Sequence, residues 1–445
     1  MVFHNGLRSY AMIFLAWTLL VTPANRAPAQ TLGEQGGDAP QWSRWRIGEP
    51  NNHAVTVRSP ADLKRVLSGT NRDVLIPAGV HWEIREPLVI PAHRGGSAER
   101  PRRIVAVGNG SRPEITCQGC DFLKIEGAGH LGLAGIAAIA SRDGKEDERG
   151  IIIRGRGAGN ILIEDMLIHG FKDNLVIVAE KGSLFTDVVI NRCILREPWH
   201  IGGSHAQNIF FNRVDRWQIL DTVLYHAGWQ PNHPEQRTRF NHNLYIDLDE
   251  GDPITHGEMR GVYTGYASSH AFQIRSTATV TDTIAERSAY LGSIYGGGTV
   301  ERYVGMFADH IPAEDKNWTG IGLEVGNLMG TARIHDTVLA HRESGGRKVA
   351  INCAAEHELS NIRILGPWTT NNYGPILAGG RRFAVNNGQS VFYSEDPLRF
   401  RDSTARIDER LLENWLTRPR REWDDEKSPA AACALLLKAY TPRDR

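Results

Sequence analysis

A short sequence phrase recurs along the chain, and it constrains the fold more than any other feature. It consists of a branched aliphatic residue, any residue, Asp-Thr and a second branched aliphatic residue, and it occupies 219–223, 280–284 and 334–338. With looser relatives included, the leading aliphatic residues are Ile163, Ile190, Ile219, Val280, Ile334 and Ile362. Most neighbours in this series are separated by one similar interval, and two are separated by about twice that interval. The unit is therefore roughly 27 to 30 residues long, with two units skipped.

A repeat of this length indicates stacked units, because each unit is too small to bury its own apolar face. Each copy is rich in β-branched residues and alternates apolar with polar positions, which is typical of strands. We therefore predict an all-β fold, a right-handed parallel β-helix over residues 54–398, in which the leading aliphatic residues stack as an inward ladder. Asp221, Asp282 and Asp336 recur at one corner of successive coils, where aspartate favours a turn.

The two ends of the chain have other patterns. Ser59-Pro60-Ala61-Asp62 is typical of a helix start, so a short helix to about Leu67 should cap the first coil. Residues 399–445 are partly helical in pattern and should pack on the solenoid or cap its far end. Residues 1–29 read as a signal peptide, because Arg8 precedes an apolar run and a small-residue exit. With a linker or extended arm at 30–53, we expect a secreted or periplasmic protein without a membrane span.

Composition restricts the partners. The chain has 445 residues, with 51 basic and 51 acidic side chains, so no excess of positive charge favours nucleic acid. Its five cysteines are an odd number, which excludes a fully paired disulfide framework. Cys117 and Cys120 form a lone Cys-x-x-Cys, and we interpret them as two buried thiols or a local disulfide in preference to a metal site. We expect a monomer.

Three segments resemble the pectate-lyase-like β-helix superfamily, and within it the chondroitinase B and alginate lyase group of polysaccharide lyases. They are 59–64, which resembles the capping helix, 73–82, which contains a Pro-x-Gly-x-aromatic turn, and 101–107, a strand entered from a proline. The resemblance implies a lyase with a lysine base, an arginine and a calcium held by carboxylates. The strand at 273–276 resembles the strand that carries the family's base, but Arg275 stands where lysine is expected. This departure implies either that Arg275 acts as the base or that the protein catalyses a different reaction.

The densest group of polar side chains lies between His226 and Glu301. Over 241–249, alternation on a strand directs Asn243, Tyr245, Asp247 and Asp249 outward. Over 270–275 the same argument directs Gln273 and Arg275 outward, one coil of the predicted length further on. One more coil of the same length leads to Glu301 and Tyr303. The sequence therefore predicts one contiguous outward patch of polar groups.

The chemistry of β-elimination from a uronic acid needs such a patch. The substrate carboxylate must be neutralised, a base must take the adjacent proton, and an acid must protonate the leaving oxygen. The candidates for these catalytic roles are Arg275, Tyr245, His242 and His270. The candidates for substrate binding are Asn243, Gln273, Arg260, Tyr303, Glu301 and Trp229. His242 and His270 are equally well interpreted as buried structural histidines, because their neighbours point inward.

A calcium ion is a possible cofactor. Asp247, Asp249 and Asp252, with Glu250, place hard oxygen ligands on one loop, although their spacing is not that of an EF-hand. The alternative is that Asp247 and Arg275 form a surface ion pair, which contributes little to stability.

We interpret the chain as a polysaccharide lyase acting on an acidic, uronic-acid-containing polysaccharide. A glycoside hydrolase on the same fold is the nearest alternative, with a carboxyl pair drawn from Asp247, Glu301, Asp309 and Glu324. A non-catalytic β-helix that binds exopolysaccharide is the third possibility. It predicts aromatic and polar residues in a groove without a base, an acid and a charge neutraliser that converge.

Overall fold

The computed structural model describes residues 53–141, 147–201, 205–230, 237–249, 251–307, 320–325, 331–341, 348–353, 357–366, 368, 377–378, 391–394 and 396–442. The predicted signal peptide, and the predicted linker up to residue 52, lie outside the described residues. Within these ranges, no helix combines the length and the apolar character that a membrane span requires.

The described residues form short strands and a few helices. In chain order the strands are β1 (Val55–Thr56), β2 (Val74–Pro77), β3 (His81–Ile84), β4 (Leu88–Ile90), β5 (Arg102–Val107), β6 (Glu114–Cys117), β7 (Leu123–Glu126), β8 (Leu131–Ala134), β9 (Ala137–Ala140), β10 (Arg149–Gly155), β11 (Gly159–Glu164), β12 (Leu167–His169), β13 (Asp173–Ala179), β14 (Phe185–Asn191), β15 (Ile194–Arg196), β16 (Gln207–Asn212) and β17 (Val214–Asp215). They continue with β18 (Trp217–Leu220), β19 (Val223–Tyr225), β20 (His242–Asp247), β21 (His256–Arg260), β22 (Tyr263–Gly265), β23 (Phe272–Ile274), β24 (Thr277–Glu286), β25 (Ser293–Ile294), β26 (Gly298–Met306), β27 (Gly320–Val325), β28 (Ala332–His335), β29 (Val338–Ala340), β30 (Lys348–Cys353), β31 (His357–Ser360), β32 (Ile362–Leu365), β33 (Leu377–Ala378) and β34 (Val391–Ser394). The α-helices are α1 (Pro60–Gly69), α2 (Glu409–Leu416) and α3 (Pro429–Ala439), and 3-10 turns lie at Ala92–Arg94, Pro397–Arg399 and Asp425–Lys427.

Every strand pairs in parallel with the equivalent strand of the next coil, and the coil has three faces. Sheet I contains β1, β2, β5, β8, β11, β14, β17, β18, β21, β28 and β31, with the first halves of β24 and β26. Sheet II contains β3, β6, β9, β12, β15, β19, β22, β29, β32 and β34, with the second halves of β24 and β26. Sheet III contains β4, β7, β10, β13, β16, β20, β23, β25, β27, β30 and β33. The predicted parallel β-helix is confirmed.

The predicted aliphatic ladder runs along sheet I. Ile163 pairs with Ile190, which pairs with Ile219, and Val280 and Ile334 stand in the same row. Met259 and Val300 occupy the two skipped positions, so the number of coils inferred from the spacings is correct. Ile362 is an exception, because Leu359 pairs with Ile334 and Ile362 lies on sheet II.

The Asp-Thr phrase forms the corner between sheets I and II. Asp221, Asp282 and Asp336 have φ angles of 46°, 51° and 47°, the left-handed conformation that aspartate tolerates better than most residues. The threonine that follows each of them is fully buried, and its hydroxyl donates to the backbone carbonyl two residues earlier. The phrase is therefore a bend with its own internal hydrogen bond, and the predicted turn role is confirmed.

Coil length varies more than the repeat predicted. On sheet I, Ile163 pairs with Ile190 after one coil of the predicted length. The coil that joins Ile219 to its partner Met259 is much longer, and the coil that joins Val280 to Val300 is much shorter. The stacked rows are preserved because the added or missing residues lie in the connections between strands. A fixed sequence offset therefore predicts the paired residues correctly for some adjacent coils and wrongly for others.

Helices precede the first coil and follow the last strand in chain order. Ser59 caps α1 by accepting a hydrogen bond from the Asp62 backbone, and the helix buries Leu63, Val66 and Leu67, as the sequence predicted. At the other end of the chain, α2 and α3 pack on the outer face of sheet II. There Trp415 and Leu436 join a second apolar core. Cys117, Cys120, Cys193 and Cys433 are buried free thiols.

Candidate functional site

The outward face of sheet III carries two rows of polar side chains, which together are called the polar patch. Across successive strands, one row contains Tyr245, Gln273, Ser293, Glu324 and Asn352. In the second row, Asp247 ends β20 and Arg275 directly follows β23. The Arg275 Nη1 atom lies 3.1 Å from Asp247 Oδ1, so the predicted placement of these two residues on adjacent coils is confirmed.

Arg275 is the most accessible member of this group. Its side chain is 44% exposed, whereas that of Asp247 is 19% exposed. The guanidinium carbon lies 5.3 Å from the centre of the Tyr245 ring, within the range of a cation–π contact. The ring and the carboxylate hold the guanidinium from two sides, and its exposed part remains available to an anion.

Tyr295 was not predicted, and it lies beside Arg275. It directly follows β25, and its hydroxyl accepts a hydrogen bond from Gln273 Nε2 at 3.2 Å. The repeat length pointed to Glu301 and Tyr303, whereas Gln273 pairs with Ser293 after a much shorter coil. Tyr295 occupies the position that the longer offset assigned to Tyr303.

Glu324 follows in the next strand of the patch. Burial raises the pKa of its carboxyl group, although hydrogen bonds from Tyr295, Ser293 and Asn352 act in the opposite direction. Burial also raises the pKa of Tyr295 to about 12 and raises that of Tyr245 above its usual range. Both phenols are therefore protonated at neutral pH, while Glu324 is a stronger base than an ordinary glutamate.

His242 and His270 lie beside this patch but are almost fully buried, with 4% and 2% of their surfaces exposed. Their ring centres are 4.9 Å apart, and His270 stacks on Tyr290 at 4.3 Å. Burial lowers the pKa of His270 to about 3 and holds that of His242 well below its usual value. Two neutral imidazoles are thus packed under the patch, as the interpretation of structural histidines requires.

Asn243 does not face outward, which corrects its predicted role in substrate binding. It is fully buried, and its Oδ1 accepts a hydrogen bond from Asn208, whose own Oδ1 accepts from Asn174. These three residues, here the asparagine ladder, stack at the corner between sheets II and III. Strict alternation fails for Asn243 because the register between β16 and β20 is interrupted there, between the pairs Gln207–His242 and Ile209–Leu244.

Three further predicted residues lie away from the patch. Arg260 and Glu301 are on sheet I, where Arg260 contacts Glu258 and Glu301 contacts Arg302. Tyr303 is fully buried, and its hydroxyl donates to the Leu291 carbonyl. Glu301 and Tyr303 were misplaced because β26 continues from sheet I into sheet II and does not reach sheet III. Arg260 lies away from the patch because β21 belongs to sheet I.

Trp229 belongs to an aromatic group at the corner between sheets II and III. Its ring lies 4.2 Å from that of His226, and the Arg237 guanidinium lies 3.7 Å from its centre. Tyr225 and Tyr266 continue the group, with ring centres 5.2 Å apart. Aromatic rings at such a corner can pack against sugar rings, so a binding role for Trp229 remains a prediction.

A second aromatic surface was not predicted. Phe240, 40% exposed, stacks on His205 with an interplanar angle of 8°. His205 Nδ1 lies 3.4 Å from Nε2 of Gln207, which pairs with His242 at the start of β20, so this exposed stack borders the patch. An exposed flat ring beside a charged group is a suitable platform for a sugar, and the signal available in the sequence was the Arg239-Phe240 pair before β20.

The proposed calcium ligands do not fit a cation site. Arg213 forms ion pairs with both Asp249 and Asp252, the latter at 2.7 Å, and Asp247 is paired with Arg275. Each carboxylate is therefore already neutralised by a guanidinium. In the described ranges, no three His, Cys, Asp or Glu side chains are grouped as a metal ion would require. Glu250 lies outside the described residues.

Comparisons with known proteins add solved structures of low similarity. No family model matches the chain, and the curated proteins give no match. The structures include the catalytic domain of a GH87 alpha-1,3-glucanase in complex with nigerose, with 9% identity, a TM-score of 0.40, and coverage of 72% of this chain and 66% of that one. Pectate lyase Pel9A has 10% identity and a TM-score of 0.34 over 65% and 69% of the two chains. A GH136 lacto-N-biosidase from Eubacterium ramulus has 11% identity and a TM-score of 0.33 over 68% and 64%.

Proposed function

We propose that the protein is a polysaccharide lyase that cleaves an acidic, uronic-acid-containing polysaccharide by β-elimination. One observation carries the proposal: the accessible Arg275 follows β23, between β20, which carries Tyr245, and β25, which Tyr295 directly follows, and Tyr295 contacts the buried carboxylate of Glu324. The resemblance of the sequence to the chondroitinase B and alginate lyase group is consistent with this reaction. Export and a monomeric state are parts of the same proposal.

In the proposed reaction, Arg275 binds the substrate carboxylate and stabilises the negative charge that develops when the adjacent proton leaves. The Tyr295 oxygen takes that proton while its own proton passes to Glu324, whose raised pKa favours acceptance. The electrons of the C–H bond form the new double bond as the glycosidic C–O bond breaks. Tyr245, protonated and on the other side of Arg275, donates a proton to the leaving oxygen.

The direct test is incubation of the purified protein with a panel of acidic polysaccharides and a neutral glucan as a matched control. Ultraviolet absorbance reports the unsaturated product of elimination, and reducing ends report any chain cleavage. We expect both signals to rise together on an acidic polymer and neither to rise on the glucan. Reducing ends without absorbance would contradict elimination, and the absence of both signals would favour a non-catalytic binding protein.

A pH dependence follows from Glu324. If Glu324 accepts the proton, kcat/KM should rise with pH through a limb whose pKa lies above the ordinary 4.5, because burial raises it. Glu324→Gln should remove that limb and lower kcat/KM by about a hundredfold or more. Steady-state rates between pH 4 and 9 measure this, with Glu358→Gln, an exposed carboxylate on sheet I, as the control.

The same pKa shift predicts a stability effect. Since the folded-state pKa is raised, the folded protein binds the proton more tightly, and this contribution to stability is lost as pH rises through the folded pKa. The thermal midpoint of Glu324→Gln should therefore increase relative to that of the wild type as pH rises from about 4 to 8. A constant difference between the two midpoints across this range would mean that the pKa of Glu324 is not raised.

Treatment with a chelator distinguishes arginine from calcium as the group that neutralises the substrate carboxylate. Because Arg213 and Arg275 already pair with the three aspartates, we expect turnover to be indifferent to a chelator. Inhibition that added calcium reverses would instead favour Asp247, Asp249 and Asp252 as ligands. The measurement is the initial rate of absorbance change before and after dialysis against the chelator.

A hydrolase is the second candidate, and the raised pKa of Glu324 favours it, since a glycosidase acid needs such a shift. Asp247 is the other carboxylate of the patch. It lies three strands away from Glu324, roughly 14 Å along the sheet at about 4.8 Å per strand. Inverting and retaining hydrolases need separations of about 5 to 9.5 Å, so this pair fits poorly.

A further inference from the structure

A cavity of about 380 Å³ lies between the solenoid and the C-terminal segment, where sheet I turns toward sheet II. Val105–Gly108 and the Ala134-Gly135 corner form its solenoid side, and residues 418–423 form the other. We name it the tail cavity. The polar patch of sheet III lies on a different face of the coil, so the tail cavity is separate from the site discussed above.

The charge around the tail cavity is unbalanced. Its lining includes four arginines, at positions 192, 418, 420 and 421, and two acidic residues, Glu164 and Asp165, which leaves an excess of two positive charges. Asp165 is further neutralised from outside the lining, because Arg112 Nη2 lies 2.6 Å from its Oδ1. A negatively charged ligand would restore the balance.

The arginine side chains are held in place by backbone carbonyl groups. Arg420 Nη1 donates to the Ala106 carbonyl at 2.7 Å, and Arg418 donates to the Arg192 carbonyl. The guanidinium carbons of Arg192 and Arg418 lie 5.8 and 4.8 Å from the centre of the Trp423 ring. The positive groups are therefore fixed in position, as a preorganised binding site requires.

Several donors at this cavity have no acceptor among the described residues. They are the Nε atoms of Arg192 and Arg420 and the indole Nε1 of Trp423, all of which are buried. Arg420 as a whole is only 7% exposed. Buried donors without acceptors are rare in native proteins, and three on one cavity indicate a missing acceptor.

We propose that the tail cavity binds an oxyanion, a carboxylate, sulfate or phosphate group, through Arg192, Arg420 and Trp423. Among the described residues that line the cavity, the unpaired buried side-chain atoms are all donors, so an acceptor-only group is the matching ligand. Burial lowers the pKa of Arg418 to about 10 and also lowers that of Arg420, so an anion would relieve the cost of burying these cations. The ligand comes either from an acidic saccharide or from free inorganic oxyanion.

The test titrates the full chain with sodium sulfate, phosphate, glucuronate and glucose at constant ionic strength, measured by calorimetry. Concentrations stay below about 10 mM, because sulfate at higher levels stabilises proteins by exclusion from their surfaces. The variants are Arg192→Gln and Trp423→Phe, which each remove one unpaired donor. Arg333→Gln, an exposed arginine paired with Glu358, is the matched control.

We expect the three anions to bind, glucose not to bind, and each variant to weaken anion binding about tenfold, with the control unchanged. Tighter binding of glucuronate than of sulfate and phosphate would identify an acidic saccharide as the source. The reverse order would identify a free inorganic oxyanion. Absence of anion binding, or equal affinity in the wild type and both variants, would overturn the proposal. If a variant does not fold, the thermal midpoint of the wild type is compared in each anion and in chloride. A higher midpoint in the anions than in chloride supports the proposal, and equal midpoints overturn it.

Discussion

Arg275→Ala is expected to lower kcat/KM on an acidic polysaccharide by about a hundredfold to a thousandfold, the usual loss when a charge-stabilising donor is removed. The side chain is 44% exposed and lies outside the solenoid core, so the variant should stay folded. Its exposed ion pair with Asp247 contributes little to stability. Rates are read from absorbance of the unsaturated product, and circular dichroism checks the fold.

Two further variants sharpen this test. Arg275→Lys keeps the charge but loses the planar guanidinium, so partial activity would mean that charge matters more than two-point geometry. Arg260→Ala removes an exposed arginine of sheet I and should leave turnover unchanged. Near wild-type turnover in a well-folded Arg275→Ala variant would remove this residue from the mechanism.

Asn208→Leu is expected to have the largest effect on stability. Asn208 is fully buried, it donates to the Tyr225 carbonyl and to Asn243, and it accepts from Asn174. Leucine would remove three hydrogen bonds. Asn243 Oδ1 would lose its partner, at about 1 to 3 kcal/mol, while the Asn174 amide and the Tyr225 carbonyl would each keep one other partner and lose about 1 kcal/mol. We expect a total loss of about 3 to 5 kcal/mol in the free energy of unfolding.

Guanidinium unfolding followed by circular dichroism measures this loss. The control is Asn191→Leu, because Asn191 is half-buried on sheet I and makes one hydrogen bond, to Glu164. It should cost less than about 1 kcal/mol, since water can replace the lost partner. An Asn208→Leu variant as stable as the control would mean that the asparagine ladder contributes nothing to the stack.

The sequence predicted the sheet I ladder because inward positions tolerate little besides aliphatic side chains. Met259 and Val300 keep that character even where the Asp-Thr phrase is absent. Ile362 was misplaced because the coil from Ile334 to its partner Leu359 is shorter than the assumed unit. Apolar pattern thus predicts which residues are buried better than it predicts which row they occupy.

The site was predicted in part for a related reason. The offset between Asp247 and Arg275 matches one coil of the predicted length, so their contact followed from the pattern. Tyr295 was missed because the next coil is markedly shorter, and nothing in the local sequence marks that loss. Asn243 was misassigned because alternation applies only where the pairing of strands is continuous, and the pairing of β16 with β20 is interrupted at Asn243.

The unequal lengths of the coils have a consequence for how this architecture can change. Each coil touches only the coil above and the coil below, so residues gained or lost at a corner disturb two neighbours at most. The sequence between Tyr225 and Asn241 is such a gain, and its last residue, Phe240, stacks on His205 beside the polar patch. Exchanging that stretch for one of different length would therefore alter the border of the polar patch, while the paired residues of each sheet would keep their rows. Substrate preference and fold stability can vary independently in a chain built this way.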